Sequence, residues 1–162
     1  MPHPTIHLRD ITSEDLPALF HQQLDPEANR MAVVHPRDAA AFDAHWARIR
    51  ADPTIVAKAI LADDIVVGQI SCFNLDGQNA IGYWIAKDHW GQGIATRALT
   101  MFLDLIPTRP LHARAAVTNT ASIRVLQKCG FIITGHQLSP ATDRFPECEE
   151  ALLTLIGPHP KL

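Results

Sequence analysis

Between Ile81 and Thr96 a β-patterned run, Ile81-Gly82-Tyr83-Trp84-Ile85, gives way to a turn with two glycines, Gly91 and Gly93, and a helical pattern begins at once. No other stretch limits the fold as tightly, because a strand that runs straight into a helix must lay that helix across its own sheet. The junction also has a chemical consequence. The first amide N–H groups of a helix have no partner inside it, and the helix dipole places about half a positive charge there. Glycines let the backbone close on an anion, and Ala95 is small for the same reason. The blander reading is a turn that binds nothing, and glycine spacing alone does not decide between the two. The turn does exclude two phosphate loops, since it lacks the Lys and Ser/Thr of GxxxxGKS/T and fails GxGxxG.

The pattern on either side supplies the rest of the architecture. Ile6, Leu8 and Ile11 predict a first strand, and Ser13-Glu14-Asp15 starts a helix carrying Leu16, Leu19 and Phe20. Residues 23–35 read as irregular. Pro36-Arg37-Asp38 opens a second helix, in which Phe42, Trp46 and Ile49 recur at helical spacing. Residues 55–61 and 65–73 are β-rich runs around an Ala62-Asp63-Asp64 turn, and Asp76-Gly77 precedes a strand over 81–86. Ile94, Ala98, Leu99, Phe102 and Ile106 form one apolar stripe that Pro107 and Pro110 end. A strand over 111–117, a short helix capped by Asn119 and closed by Gly130, and strands at 131–134 and 152–156 complete the chain. The order β-α-α-β-β-β-α-β-α-β-β predicts a single domain over 1–162 of the α/β (α+β) class, a mixed and mostly antiparallel sheet flanked by helices.

Composition narrows the function. The 162 residues are 47% hydrophobic and 19% charged, which excludes a disordered chain. Fourteen Lys and Arg oppose seventeen Asp and Glu, with no basic block, so neither a nucleic-acid partner nor a polybasic membrane anchor is expected. The longest window free of charged residues, 129–142, is shorter than the about 20 residues a membrane span requires. Met1-Pro2-His3-Pro4 lacks the pattern of an export signal, and Cys72, Cys129 and Cys148 are an odd set without CxxC spacing. Both observations predict a cytoplasmic chain with reduced thiols. Cys129 reads as a small buried residue. Nine histidines include no HExxH, and Pro2 and Pro4 deny His3 and His7 a helix, so no metal is expected.

Trp90-Gly91-Gln92-Gly93-Ile94-Ala95-Thr96 resembles the acetyl-CoA pyrophosphate loop of the GNAT acetyltransferase superfamily, Gln/Arg-x-x-Gly-x-Gly/Ala. Val117-Thr118-Asn119-Thr120-Ala121-Ser122-Ile123, followed by Lys128-Cys129-Gly130-Phe131, resembles the second signature of that family, an Asn-initiated helix closing in Gly-Phe. The wording of both is most similar to the ribosomal-protein N-terminal acetyltransferases. One departure is Trp90 at the first loop position. The resemblance implies an acetyl-CoA-dependent N-acetyltransferase acting on a primary amine, either a protein or peptide N-terminus or a small amine. It implies that Tyr83, Trp84 and Ile85 pair with the pantetheine arm. Gly91, Gln92, Gly93, Ile94, Ala95 and Thr96 would hold the pyrophosphate, and Asn119 would contact the arm near the thioester.

The implied reaction needs a neutral amine, donors for the oxyanion and an acid for the leaving thiolate. The position where many relatives carry a Tyr acid is Leu126, which leaves Ser122 as the candidate catalytic residue; its blander role is a polar residue of the first helical turn. The two familiar places for a carboxylate base hold Ala80 and Arg114. Asp76, His112, Glu147 and Glu149 stand as alternatives, each also readable as a solvated or turn residue. The missing base favours a weakly basic amine, since an α-amine titrates near about 7.7–8.0 and Lys near about 10.4. Resemblance implies an acceptor site between segments 23–35 and 137–148, with Asp25, Glu27, Asp143 and Glu147 available to attract a cation. The same departures leave open a non-catalytic acyl-CoA-binding or sensing domain. A longer thioester and a homodimer also remain open.

Overall fold

The computed structural model describes residues 2–161, so Met1 and Leu162, the two ends of the expected domain, lie outside the described residues. The chain runs β1 (Ile6–Asp10), α1 (Leu16–Gln22), α2 (Pro26–Ala32), α3 (Ala39–Ala51), β2 (Val56–Ala62), β3 (Ile65–Leu75) and β4 (Gln78–Ile85). It continues with α4 (Ile94–Leu105), β5 (Leu111–Ala116), α5 (Thr120–Lys128), β6 (Ile132–Ser139) and β7 (Cys148–Leu155). The strands form one mixed sheet in the order β1-β2-β3-β4-β5-β7-β6. Every neighbouring pair is antiparallel except β4 and β5. The β2–β3 turn places both Asp63 and Asp64 at positive φ, and the β3–β4 turn does the same at Asp76 and Gly77. These are the backbone states a tight hairpin of right-twisted strands requires.

Two differences from the sequence pattern matter for function. Residues 23–35, expected to be irregular, contain α2. Asp25 caps it by accepting from the Ala28 amide at 2.9 Å, Pro26 occupies its first turn, and Val33 closes it at φ 53°. Seven residues whose apolar members are two alanines and a methionine carry too weak a stripe to announce a helix. The final hairpin is also longer than expected, so the 137–148 loop shrinks to residues 140–147. The outer halves of β6 and β7 pair through polar residues, including Gln137 with Glu150 and Ser139 with Cys148, and so lack the hydrophobic alternation by which a strand is recognised.

Burial follows the two-residue period of β2. Ile60 and Ala62 join a core with α4, α5 and the sheet centre, including Leu99, Phe102, Leu111, Leu126 and Phe131. Ala59 and Leu61 face the opposite side and pack with Leu19, Phe42 and Trp46 of α1 and α3. The sheet is therefore covered on both faces. Within the first core the α4 stripe is nearly sealed from solvent, with Ala98, Leu99 and Phe102 at 0% exposure. Burial of a side chain such as Phe102 contributes about 2–3 kcal/mol, which fixes the N-terminus of α4 firmly against the sheet.

Candidate active site

The parallel pair of β4 and β5 has a single registered partnership, Ala80 with His112. Beyond it the two strands diverge, while Tyr83, Trp84 and Ile85 remain paired to β3 alone. The gap opens a cavity of about 440 Å³ between β4, the Gly91–Gly93 turn, the start of α4, α5 and the apolar face of α2. The residues expected to hold acetyl-CoA, and Ser122, all line this cavity except Gln92, which lies in the glycine turn but not on the cavity wall.

Gly91 (φ +77°) and Gly93 (φ +71°) both adopt the left-handed conformation, and Gly93 is the N-cap of α4. A Cβ built on either glycine meets no heavy atom within 4 Å. The fold itself makes no use of that space, which suits a ligand group seated against the backbone. No side chain caps α4, so the amides of its first turn stay available. Trp90 has a structural role in its unusual position: its indole N–H donates to the Ile85 carbonyl at 2.9 Å and ties the turn to the strand end. Arg124 and Lys128, one helical turn apart on α5, bring positive charge to the same wall. Their i, i+4 spacing beside the Asn119 cap was the available signal for a basic helix face.

Asn119 caps α5 through its side-chain oxygen, which accepts from the Ser122 amide at 3.2 Å. That bond places Ser122 in the first turn with its hydroxyl toward β4, where it shares a hydrogen bond of 2.9 Å with the Tyr83 phenol. Burial pushes the Tyr83 hydroxyl up to about 12, partly opposed by the bond to Ser122. Tyr83 is thus more than a backbone edge. Its phenol reaches the candidate acid, a role that a strand pattern cannot reveal. Leu126, at the position of the familiar Tyr, is sealed in the core at 1% exposure.

The other candidates are held elsewhere. Asp76 pairs with Arg114 at 3.1 Å, and His112 bonds the Thr154 hydroxyl at 3.2 Å. Glu147 and Glu149 are exposed, and none of these four lines the cavity. Asp25 is occupied as the α2 cap and Glu27 pairs with Lys87. Ala28, Met31 and Ala32 are what α2 presents to the cavity. Cys129 is buried, its Sγ is 3.7 Å from the Thr96 carbonyl oxygen, and burial pushes its thiol up, as befits a packed residue. Among the described residues there is no cluster of three or more His, Cys, Asp or Glu that could hold a metal, and no helix is long and apolar enough to cross a membrane.

Known proteins share this fold. A Bacillus subtilis protein with the provisional name ribosomal N-acetyltransferase YdaF is 36% identical over 97 residues, which cover 56% of this chain and 53% of that protein. The chain thus spans about half the length of that relative. Mycobacterium smegmatis RimJ, solved in complex with CoA-disulfide, superposes with a TM-score of 0.78 at 23% identity, covering 93% of this chain and 81% of that one. Vibrio cholerae spermidine N-acetyltransferase, solved with CoA and spermine, gives a TM-score of 0.80 at 14% identity over 93% of this chain and 95% of that one. Residues 5–132, which include β1 through α5 and hence the cavity, match the acetyltransferase (GNAT) domain, and the chain belongs to that family.

Proposed function

We propose that this chain, acting as one domain over 1–162, transfers an acetyl group from acetyl-CoA to a primary amine. The observation that carries the reading is the cradle of Gly91 and Gly93 at the uncapped start of α4, opening into a cavity that continues along Tyr83 to Ser122. In this reading the backbone from Gly91 to Thr96, Gln92 included, binds the pyrophosphate, with Arg124 and Lys128 adding charge. The strand edge at Tyr83–Ile85 and the free amide nitrogen of Asn119 hold the arm, in the manner of an added strand.

The thioester supplies an activated carbonyl carbon. A new C–N bond forms as the C–S bond breaks, the amine gives up one proton, and the thiolate takes one. Ser122 donates its proton to the departing sulfur and takes up the proton that the amine nitrogen sheds once the C–N bond has formed. Tyr83 keeps its proton at neutral pH. In this reading that proton is directed to the Ser122 carbonyl at 3.3 Å and the Ser122 hydroxyl oxygen at 2.9 Å, which leaves the serine hydrogen free for the cavity. Among the described residues no carboxylate lines the cavity. Its one imidazole, His89, stands two residues before Gly91 in the turn proposed for the pyrophosphate and not on the helix of Ser122. In this reading the amine therefore enters neutral by its own equilibrium, which favours an α-amine over Lys.

That missing base also favours a second reading, a non-catalytic acyl-CoA sensor. One experiment separates them: CoA affinity by calorimetry, together with thiol release from acetyl-CoA in the presence of a panel of amines and peptide N-termini. Tight CoA binding with amine-dependent thiol release supports the transferase. Binding with no release by any amine at any pH supports the sensor.

A further inference from the structure

Across Trp84 from the acetyl-CoA cavity lies a smaller one of about 60 Å³, enclosed by α1, α3, β3 and the 140–147 loop. Trp84 belongs to the wall of both, its indole N–H fixed on the Gln22 carbonyl at 3.2 Å. The smaller cavity has an unusual charge content. Arg37, His45 and Arg144 line it, and Arg48 stands behind with a 3.2 Å contact to the His45 ring. None of the three arginines is in an ion pair with a described residue.

Both lining arginines are held in place by other parts of the chain. The side-chain amide of Gln23 clamps the Arg37 backbone from both sides, at 2.8 and 2.9 Å. The Arg144 carbonyl accepts from the His35 amide at 2.7 Å, and its guanidinium donates to the His35 carbonyl. The Nε of Arg144 is buried with no acceptor among the described residues, and the Phe145 ring at 5.8 Å offers a face but no lone pair. Burial and mutual repulsion show in the protonation of the group: His45 is pushed down to about 4 and Arg144 to about 10. Partly buried cations without a counter-charge are costly, and an anion seated between them would offset that cost. The void suits a group the size of a carboxylate or phosphate, since a single water needs only about 10–15 Å³. The side-chain oxygen of Gln22, also buried without a donor, offers an acceptor for an N–H carried near that anion.

We propose that this cavity binds a carboxylate or phosphate borne by the amine acceptor, so that the chain acetylates anionic amines in preference to neutral or polycationic ones. The proposal rests on the transferase reading above for the reaction, but not for the binding. Bidentate, charge-assisted contacts from two arginines predict a kcat/KM advantage of about ten- to a hundredfold for the anionic member of a matched pair.

The test compares an α-amino acid with its amide, O-phosphoethanolamine with ethanolamine, and spermidine as the polycation. The amino-acid amide carries the less basic amine, so preference for the free acid cannot arise from basicity. Wild-type protein should favour the anionic member of at least one pair, the pair revealing which oxyanion is meant. The ratio should collapse toward one in Arg37→Gln and Arg144→Gln, while calorimetry shows both variants binding CoA as the wild type does, which also reports their folding. A wild-type ratio at or below one for both pairs, or a ratio that survives in both variants, overturns the proposal. If no amine is acetylated, inorganic phosphate is titrated into the CoA-saturated protein. A rise in melting temperature that both variants lose keeps the anion site while the transferase reading falls, and no rise in the wild type rejects the site itself.

Discussion

Tyr83→Phe isolates the one hydroxyl that contacts Ser122 from the strand beneath it. The substitution keeps the ring, the backbone of β4 and its pairing with Ile70 of β3, and removes the 2.9 Å bond between the two hydroxyls together with the longer 3.3 Å contact from the phenol to the Ser122 carbonyl. Loss of one such bond should cost about 1 kcal/mol of folding stability. The catalytic effect should be larger, because the Ser122 hydrogen is then no longer directed at the departing sulfur, where charge develops in the transition state. A charge-assisted hydrogen bond contributes about 1.5–3 kcal/mol there, so kcat should fall about ten- to a hundredfold. The KM for acetyl-CoA should stay within about threefold, since the strand edge and the glycine cradle are untouched. The assay is thiol release at saturating amine, followed in Tyr83→Phe, Ser122→Ala and the double variant. If Tyr83 acts through Ser122, the double variant loses no more than Ser122→Ala alone. The wild-type profile should show no loss from Tyr83 ionisation below pH 10, because that proton leaves only near about 12. An unchanged kcat, or losses that multiply in the double variant, would refute the pairing.

Three further outcomes are expected. Gly93→Asp should leave the fold within about 1 kcal/mol of wild type, the cost of a left-handed φ of +71° in otherwise open space, yet lower CoA affinity at least about a hundredfold by calorimetry, because a carboxylate then stands where the pyrophosphate would. Asp25→Ala should cost about 1 kcal/mol through the lost α2 cap, read as a fall of about 2–4 °C in melting temperature, with a weaker grip on CoA because α2 forms one wall of the cavity. His45 titrates near 6.5 in the unfolded chain and near about 4 in the folded one, so its contribution is complete above about 6.5 and is lost as the pH falls toward 4; denaturant titrations should show the wild type losing about 1–2 kcal/mol more than His45→Gln across that window, a figure reduced for the solvent that still reaches the ring.

What could be read from the sequence divides along physical lines. The α4 stripe, the Asp-Gly turn at 76–77, the Asn119 cap and the glycine cradle are local signals, each carried by residues within one or two turns of one another, and the structure contains all of them. The α2 helix was hidden because its stability derives from the Asp25 cap and from packing, not from periodicity. The outer parts of β6 and β7 were hidden because their pairing is written in backbone hydrogen bonds between polar residues. The contact between Tyr83 and Ser122 joins a strand to a helix across the divergence of β4 and β5. No spacing rule spans such a distance, and the hydroxyl of Tyr83 was therefore invisible even though the residue itself stood out.

Charge shows the same limit most clearly. A net charge of −3 and the acids at Asp25, Glu27, Asp143 and Glu147 suggest a site that attracts a cation. Folding uses two of these acids for itself, Asp25 as a helix cap and Glu27 against Lys87. It leaves Arg37, Arg48 and Arg144 gathered on the far side of Trp84 without an acidic partner among the described residues, beside a His45 ring that their charges help keep neutral. The field an acceptor meets is set by which charges remain unpaired after folding, and that depends on contacts between segments far apart in the chain. The larger cavity obeys the same rule, since Arg124 and Lys128 line it and neither is in an ion pair among the described residues. An acidic protein thus turns basic side chains to both cavities described above, Arg124 and Lys128 on the side proposed for the pyrophosphate and Arg37 and Arg144 on the side proposed for the acceptor's anion.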